Sequence, residues 1–345
     1  MAEKIKAVGL VSGGLDSALA VAVLRRLGID LLGLHYYNGF SPGSLRSEVY
    51  GTEEPESRFT RKALELSEVL GIPVEVIDVS VEFLHMLVSP QHGYGANVNP
   101  CIDCRIFMLR KAKERMERED AGFVFTGEVL GQRPMSQHRR ALELVERQSG
   151  LQGFLLRPLS AKLLPQTIPE REGWVNRNEL LDIQGRSRKR QIALAGELGI
   201  KGYSQPAGGC TLTDENYARK FKDLLEHRDP KSLTRDDTLL LAVGRHFRLS
   251  PLVKIVVGRD EEENTYIELH VGEGWIAVPM DVPGPTVLIQ GETGTEEIRT
   301  SAAIAARFSD AKYHQHVRVL VKKGEREEIL EVTPAEDDLV NRLRI

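Results

Sequence analysis

The sequence predicts an α/β protein with a doubly wound parallel sheet, followed by a smaller α+β domain. Two patterns predict this architecture. In the first 130 residues, apolar runs typical of strands alternate with segments whose apolar residues recur at helical spacing. From about residue 252 onward, short β-rich runs surround one helix-like segment. A length of 345 residues also suits about two domains, which we place at residues 1–230 and 240–345.

Local composition places the individual elements. In the first domain we predict strands at residues 5–11, 31–37, 74–79 and 123–126, and helices at residues 15–27, 56–70 and 106–119. Residues 38–56 predict a long loop at the carboxyl end of a strand, where open α/β sheets bind ligands. In the second domain we predict strands at residues 252–258, 265–271, 275–278, 286–289 and 317–322, and a helix at residues 301–308. The polar segment 229–237, which contains Pro230, is the predicted junction.

Composition excludes several classes of protein. The chain is 41% apolar and 28% charged, which is typical of a folded, soluble protein. It has no apolar run of the roughly 18 residues that a membrane span needs and no cleavable leader at its start, so we expect a cytoplasmic protein without membrane contact. Three cysteines are too few for a disulfide framework. The net charge is −4, but basic residues outnumber acidic ones between residues 105 and 229, which suits contact with a polyanion.

The strongest motif is SGGLDS at residues 12–17, between the first predicted strand and the first predicted helix. Its glycines allow a tight turn that exposes backbone N–H groups beside a helix N-terminus, which suits a phosphate or pyrophosphate. Ser12 and Ser17 add hydroxyl donors. The carboxylate of Asp16 would repel phosphate directly, so we expect it to hold Mg²⁺ or to cap the helix. No Gly-Lys-Ser/Thr follows, so the motif is not a Walker A loop.

The cysteines form the second signal. Cys101 and Cys104 are spaced as in metal and redox sites, just before a helix predicted to begin near Arg105. A helix N-terminus and an adjacent arginine lower the pKa of a thiol, so we expect Cys104 to be activated. The third cysteine, Cys210, ends a Gly-rich segment at residues 206–210 that could bring its thiol close to other groups.

The SGGxDS motif resembles the signature of the PP-loop ATP pyrophosphatase superfamily, whose fold is that of adenine-nucleotide α-hydrolases. These enzymes cleave ATP between the α and β phosphates and leave an adenylate on a carbonyl oxygen, which a nucleophile then displaces. The resemblance implies an ATP site formed by Ser12, Gly13, Gly14, Asp16 and Ser17, together with Mg²⁺. The superfamily includes ligases that use ammonia and tRNA thiolases that use sulfur.

Two further motifs resemble the tRNA thiolase branch. The NPCIDC segment at residues 99–104 is similar to the NPxxxC motif of tRNA 2-thiouridylases, which implies that Cys104 is a catalytic cysteine and that Cys210 is its partner. The TGEVLGQ segment at residues 126–132 resembles a stretch that lines the nucleotide site of tRNA 4-thiouridine synthetases. It implies that the nucleotide also contacts Thr126, Gly127, Gly131 and Gln132.

Two sulfur-transfer routes fit these three thiols. In one, Cys104 or Cys210 carries a persulfide and the other cysteine resolves the disulfide. In the other, Cys101, Cys104 and Cys210 hold a four-iron four-sulfur cluster with one iron open to sulfide, as in similar cluster-dependent thiolases. All three cysteines fall in the α/β portion, which favours the cluster slightly. The sulfur donor is a cysteine desulfurase or free sulfide in either case.

Two regions predict RNA contact. A basic cluster opening a predicted helix suits RNA phosphates; it comprises Arg186, Arg188, Lys189 and Arg190. The segments 254–264, 275–285 and 301–309 together resemble the NFACT-R domain, which implies that the carboxy-terminal domain binds RNA. The expected RNA partner is tRNA.

We therefore interpret the sequence as an ATP-dependent tRNA sulfurtransferase, a thiouridylase that adenylates a uridine carbonyl oxygen. Two alternatives remain. One is an amidating or other small-molecule PP-loop ligase, which would need no special cysteines. The other is a non-catalytic, nucleotide-sensing RNA-binding adaptor. The target uridine and the oligomeric state are left open, with a homodimer as one option.

Overall fold

The computed structural model describes residues 5–51, 55–203 and 210–345. By internal packing, the chain forms two units: one contains residues 1–40 and 52–210, and the other contains residues 41–51 and 211–345. The predicted division at residues 230–240 lies inside the second unit, because Asp223 there forms an ion pair with Arg248 of the sheet that follows. As a boundary between two family domains, that division stays a prediction.

The first unit contains a five-stranded parallel sheet in the order β3-β2-β1-β4-β5. Its strands are β1 (Lys6–Leu10), β2 (Asp30–Tyr37), β3 (Val74–Asp78), β4 (Phe123–Thr126) and β5 (Leu155–Leu156). Its helices are α1 (Leu15–Arg26), α3 (Pro55–Leu70), α4 (Ser80–Leu87), α5 (Cys101–Arg118), α6 (Arg139–Gln148), α7 (Ile168–Arg171) and α8 (Lys189–Glu197), whereas α2 (Pro42–Tyr50) belongs to the second unit. The predicted parallel α/β class is confirmed.

Helices cover both faces of this sheet. Successive strand residues point to opposite faces, and they enter different cores: Ala7 and Phe125 pack in the cluster that includes residues of α1 and α3, whereas Val8 and Val124 pack with Leu109 of α5. The doubly wound arrangement is therefore confirmed. The strand order reverses between β1 and β4, and such a switch point is where open α/β sheets bind ligands.

The loop predicted at residues 38–56 is wrong in its middle part, because residues 42–50 form α2. Ser41 begins this helix, and its side chain accepts a hydrogen bond from the backbone N–H of Ser44 at 3.1 Å. Pro42 occupies the first turn, where its missing N–H costs nothing. The helix has few apolar positions, so its periodicity was too weak to predict it.

The second unit contains a six-stranded antiparallel sheet in the order β11-β10-β8-β9-β7-β6. Its strands are β6 (Arg245–Ser250), β7 (Val253–Val257), β8 (Trp275–Pro279), β9 (Val287–Gly291), β10 (Val317–Lys323) and β11 (Arg326–Val332). Besides α2, its helices are α9 (Glu215–His227), α10 (Arg235–Leu240), α11 (Glu261–Leu269), α12 (Thr295–Arg307) and α13 (Asp337–Leu343). The predicted α+β class of this part is confirmed.

One predicted strand of this unit is wrong. Residues 265–269 belong to α11 rather than to a strand. Asp260 caps this helix by accepting a hydrogen bond from the backbone N–H of Glu263 at 2.9 Å, and acidic residues in the first turn favour a helix start. These signals outweigh the β propensity of Tyr266 and Ile267. Across the described ranges of the chain, no helix is long and apolar enough to cross a membrane.

Candidate functional site

The SGGLDS segment forms a turn between β1 and α1. Gly13 has a φ of 74°, which only glycine adopts easily. Ser17 donates a hydrogen bond from its hydroxyl to the carbonyl oxygen of Gly14 at 2.8 Å. Gly14 is the N-cap of α1, and no side chain caps the helix there. The uncapped N–H groups at this helix start suit an anionic ligand.

The two carboxylate oxygens of Asp16 differ in their hydrogen bonding. Its Oδ2 accepts a hydrogen bond from Gln132 Nε2 at 2.6 Å, and Gln132 Oε1 in turn accepts one from Gln191 Nε2 at 2.9 Å. Its Oδ1 is buried and has no hydrogen-bond partner among the described residues. A buried carboxylate oxygen left unpaired in this way is a natural ligand for a divalent cation. Asp16 therefore fits the predicted Mg²⁺.

Gly127 brings the end of β4 against the start of α1. A Cβ at this position would lie 2.5 Å from the carbonyl oxygen of Asp16, so no larger residue fits without a shift of the backbone. Thr126 is buried and donates a hydrogen bond to Glu128 Oε2 at 3.2 Å. Gly131 has a φ of 76° and donates its backbone N–H to the carbonyl oxygen of Gln137 at 2.7 Å. The loop after β4 thus begins beside residues 12–17, which we call the phosphate loop. Contact of the loop after β4 with the nucleotide stays a prediction.

The three cysteines come together in the first unit. Helix α5 begins at Cys101 rather than near Arg105, so Cys104 lies in its first turn. All three cysteines are in the reduced thiol form, and each residue is partly buried. Cys101 and Cys210 each act electrostatically on Cys104, so each of them lies in the neighbourhood of Cys104. Cys210 is described, but residues 206–209 of the predicted Gly-rich loop lie outside the described residues.

The predicted activation of Cys104 is wrong for the unliganded protein. Burial raises the pKa of Cys104 to about 12, and the opposing charges of Arg105 and Arg133 are too weak to reverse this. Burial also raises the pKa of Cys101. Sequence reasoning counted the helix start and the arginine but could not foresee the desolvation of the thiol. Cys104 is therefore a protonated thiol at neutral pH.

A group of arginines lies beside these thiols. The charge of Arg105, and then burial, lower the pKa of Arg133, and Arg188 lowers it further, so Arg105 and Arg188 each lie near Arg133. Arg105 and Arg133 also act on Cys101 and Cys104. Such a concentration of positive charge suits a phosphate. The sequence motifs did not single out Arg133.

Glu128 anchors this arginine group. It is 4% exposed, and its Oε2 accepts a hydrogen bond from Arg157 Nε at 3.1 Å, while its Oε1 lies 3.5 Å from Arg105 Nε. Burial opposes ionisation, but Arg157 and Arg105 together lower the pKa of Glu128 below its ordinary value. Glu128 is therefore a positioning residue that holds Arg105 beside the thiols. The only sequence signal for it was its place after a strand, within the TGE motif.

Replacing Glu128 by Gln is expected to lower the free energy of unfolding by about 3 kcal/mol, because Arg157 is 3% exposed and would lose a buried partner. Glu146, which accepts a hydrogen bond from Arg157 at 2.9 Å, limits the loss. Urea denaturation measures it. In Glu82→Gln, which removes an exposed pair with Lys111, the loss should stay below about 1 kcal/mol.

The effect of Glu128 should also depend on pH. Because the folded protein lowers its pKa, the stabilisation is present above about pH 4.3 and is lost as the pH falls through the folded pKa. The difference between the wild type and Glu128→Gln should therefore shrink in acid. If the free energies of unfolding of the wild type and Glu128→Gln differ little at neutral pH, or differ by the same amount in acid, this role for Glu128 is contradicted.

Asp103, between the two cysteines of the motif, holds the segment that precedes α5. Its carboxylate accepts hydrogen bonds from the backbone N–H groups of Gln91 at 3.2 Å and His92 at 2.9 Å.

Within the ranges 5–51, 55–203 and 210–345, no three His, Cys, Asp or Glu side chains are arranged to hold a metal ion. The predicted iron–sulfur cluster on Cys101, Cys104 and Cys210 therefore gains no support and stays a prediction.

The residues of the basic cluster at the start of α8 differ in their contacts. Arg190 pairs with Asp182 at 2.6 Å, whereas Arg186 and Lys189 are exposed and Arg188 acts on Arg133. Gln191, on the same helix, is fully buried. It donates a hydrogen bond to Gln132, which in turn donates one to Asp16 of the phosphate loop. Contact with RNA stays a prediction for this cluster.

Comparisons with known proteins identify two regions. Residues 5–172 match the model of the tRNA methyl transferase HUP domain, and residues 244–344 match that of the NFACT protein RNA binding domain. A tRNA-specific 2-thiouridylase MnmA from Xanthobacter autotrophicus is 25% identical over 251 residues, covering 70% of this chain and 59% of its own length. Another from an Arthrobacter species is 34% identical over 103 residues, covering 29% and 27%. The chain thus spans less than two thirds of the length of either relative.

Among solved structures, a predicted subunit of tRNA methyltransferase from Methanocaldococcus jannaschii is 15% identical, with a TM-score of 0.33. The alignment covers 56% of this chain and 76% of that chain. A TM-score of this size is too low to support any inference about this chain.

Proposed function

We propose that this chain is an ATP-dependent tRNA thiolation enzyme. Its residues 5–172 match the tRNA methyl transferase HUP domain, and its residues 244–344 match the NFACT protein RNA binding domain. One observation carries the proposal. A single unit contains both the phosphate loop, where Asp16 Oδ1 has no hydrogen-bond partner among the described residues, and Cys104 with Cys101 and Cys210 in its neighbourhood. Adenylation and sulfur transfer need these two sets of groups.

The first step would be adenylation. The carbonyl oxygen of a uridine attacks the α-phosphorus of ATP, the bond to the β-phosphate breaks, and pyrophosphate leaves. Backbone N–H groups of residues 12–17 would bind the pyrophosphate, and Asp16 Oδ1 would hold Mg²⁺, which neutralises phosphate charge when bound. Gln132 fixes the orientation of Asp16 by its hydrogen bond to Oδ2. The arginines at positions 105 and 133 would attract the adenylated strand.

The second step would transfer sulfur. A persulfide on Cys104 or Cys210, formed by transfer of the outer sulfur of a cysteine desulfurase persulfide, attacks the adenylated carbon through its terminal sulfur, and AMP leaves. The other cysteine then attacks the bridging cysteine sulfur as a thiolate, which forms a disulfide and releases the thiouridine. A thiol reductant returns the disulfide to two thiols. The proximity of Cys104 and Cys210 supports this route.

RNA would be bound through exposed basic groups. Arg186 and Lys189 lie at the start of α8, which also carries the buried Gln191. Gln191 donates to Gln132, which donates to Asp16, so the predicted RNA helix and the predicted metal ligand share one chain of hydrogen bonds. The carboxy-terminal domain supplies a second RNA-binding region.

The products of ATP cleavage test this proposal. With Mg²⁺, ATP, a persulfide-generating desulfurase and an unmodified tRNA transcript, the protein should release AMP and pyrophosphate only when the tRNA is present. A variant with Ser at all three cysteines should still release them but should form no thiouridine. AMP release without tRNA would favour the small-molecule ligase instead, and tRNA binding without any AMP release would favour the adaptor.

A further inference from the structure

The second unit contains a cavity of its own, far in sequence from the phosphate loop and the cysteines. Its volume is about 980 Å³, at the upper end of the range for small-molecule sites. The walls come from the end of α11, the start of β8, the end of β9 and the turn that joins β10 to β11. No step of the proposed thiolation uses this cavity.

Flat ring systems line the cavity at two places. The rings of Tyr266 and His270 are stacked with centroids 4.0 Å apart and an interplanar angle of 16°. Tyr266 is buried, whereas His270 is exposed, so solvent reaches the imidazole from the side that Tyr266 does not cover. At the second place, the exposed guanidinium of Arg326 lies over the ring of Trp275, 5.2 Å from its centroid. Nucleobases stack on such flat, partly exposed groups.

Two features fix the orientation of the His270 ring. Its Nδ1 lies 2.8 Å from the carbonyl oxygen of Tyr266, and since a carbonyl only accepts, Nδ1 carries the proton and donates. The stack with Tyr266 sets the plane of the ring. A platform held in this way loses little conformational entropy when a base stacks on it.

The hydroxyl of Tyr266 supplies an independent sign of a ligand. Tyr266 is 5% exposed and lines the cavity, yet its hydroxyl is buried and has no hydrogen-bond partner among the described side chains and backbone groups. Most buried hydroxyls have a partner, because an unpaired one loses its hydrogen bonds with water. A ligand with polar edges would provide that partner.

The charges around the cavity are mixed. Lys323 and Arg326, both exposed, offer positive charge on one side. Asp236, Glu273 and Glu292 offer carboxylates elsewhere on the wall. A nucleotide in a strand needs both kinds of group, since its phosphate is anionic while its base amino groups and 2′-hydroxyl are donors.

We propose that this cavity binds an unpaired nucleotide of an RNA strand, with the base stacked against His270 and the phosphate beside Lys323 and Arg326. The family description assigns RNA binding to the whole matched domain. We assign it to one cavity in that domain, which would bind one unpaired nucleotide. This assignment does not depend on the thiolation chemistry of the first unit. Binding of RNA to this cavity is measured without ATP or a sulfur donor. A failure to bind would therefore leave the proposed thiolation activity untested and intact.

Tryptophan fluorescence can report on this cavity directly. The chain has two tryptophans, so the full-length Trp174→Phe variant keeps Trp275 as the single reporter. Titration with a single-stranded adenosine RNA pentamer should change the Trp275 emission in a saturable way. Arg326→Gln should weaken the affinity about tenfold, because it removes a stacking cation and a charge. Arg342→Gln, an exposed arginine of α13 outside the lining, is the matched control and should leave the affinity unchanged within about twofold.

Tyr266→Phe gives a second test that does not rest on charge. Since the Tyr266 hydroxyl has no hydrogen-bond partner among the residues that the structure describes, its removal should leave the unfolding temperature unchanged or slightly raised, while the affinity for the pentamer falls severalfold. The proposal would be overturned by the absence of a saturable change in emission, by equal losses of affinity in Arg326→Gln and Arg342→Gln, or by duplex RNA that binds as tightly as the pentamer. Binding of AMP alone as tightly as the pentamer would also overturn it, since the site would then take a free nucleotide.

Discussion

Asp16→Asn is expected to reduce tRNA-dependent AMP formation about a thousandfold, because the amide oxygen that replaces Oδ1 is a neutral and weak ligand for Mg²⁺. The substitution is nearly isosteric, and Oδ1 has no hydrogen-bond partner in the described part of the chain whose loss could unfold the protein. Rates of AMP release from radiolabelled ATP, measured across a range of Mg²⁺ concentrations, give the effect.

The matched control is Asp30→Asn, which changes an exposed carboxylate at the start of β2 in the same sheet. Its rate should stay within about twofold of the wild type. If Asp16→Asn keeps more than a tenth of the wild-type rate at saturating Mg²⁺, then Asp16 is a structural residue of the helix start and the metal assignment fails.

The second large effect is expected from Cys104→Ser, which should abolish thiouridine formation, to below about a thousandth of the wild-type rate, while AMP formation continues. A serine hydroxyl cannot carry a persulfide, but adenylation needs no thiol. Burial raises the pKa of Cys104 to about 12, so in the persulfide route its reaction needs a bound substrate or a loaded sulfur, and modification of the free enzyme by alkylating agents at neutral pH should be slow.

Cys101→Ser separates the two sulfur routes. If a persulfide is used, Cys104 and Cys210 are both required, and Cys101→Ser should keep most of the thiolation activity. If a cluster is held by all three cysteines, each of the three variants should lose thiolation to the same degree. The persulfide route proposed above predicts the first outcome. Thiouridine is measured by mass spectrometry of the digested tRNA in each case.

The sequence predicted best what is local. The turn at residues 12–17 joins a strand to a helix, and each of its requirements can be seen in consecutive residues: glycines for the turn, hydroxyls and a carboxylate for the ligand. Strand alternation in the first unit likewise predicted a parallel sheet, since no short connection can join parallel strands. The same local reasoning failed for α11, where the cap at Asp260 outweighed the β propensity of the residues that follow.

What the sequence could not predict arises from contacts between distant residues. The bond between Gln132 and Asp16 joins residues 116 positions apart, and the contact between Glu128 and Arg157 joins residues 29 apart. Neither has a sequence signature beyond a polar residue in a loop. The pKa of Cys104 was predicted in the wrong direction for the same reason, because the desolvation that raises it comes from the fold around the thiol rather than from its neighbours in sequence.

The most direct test of the account is to ask where sulfur goes. The purified protein is incubated with ATP, Mg²⁺, unmodified tRNA, and a desulfurase charged with isotopically labelled cysteine, and the tRNA nucleosides are separated by mass. The account predicts one labelled thiouridine, formed in equal amount with AMP and absent without ATP. Labelled sulfur that never reaches the tRNA, while AMP still accumulates, would contradict it.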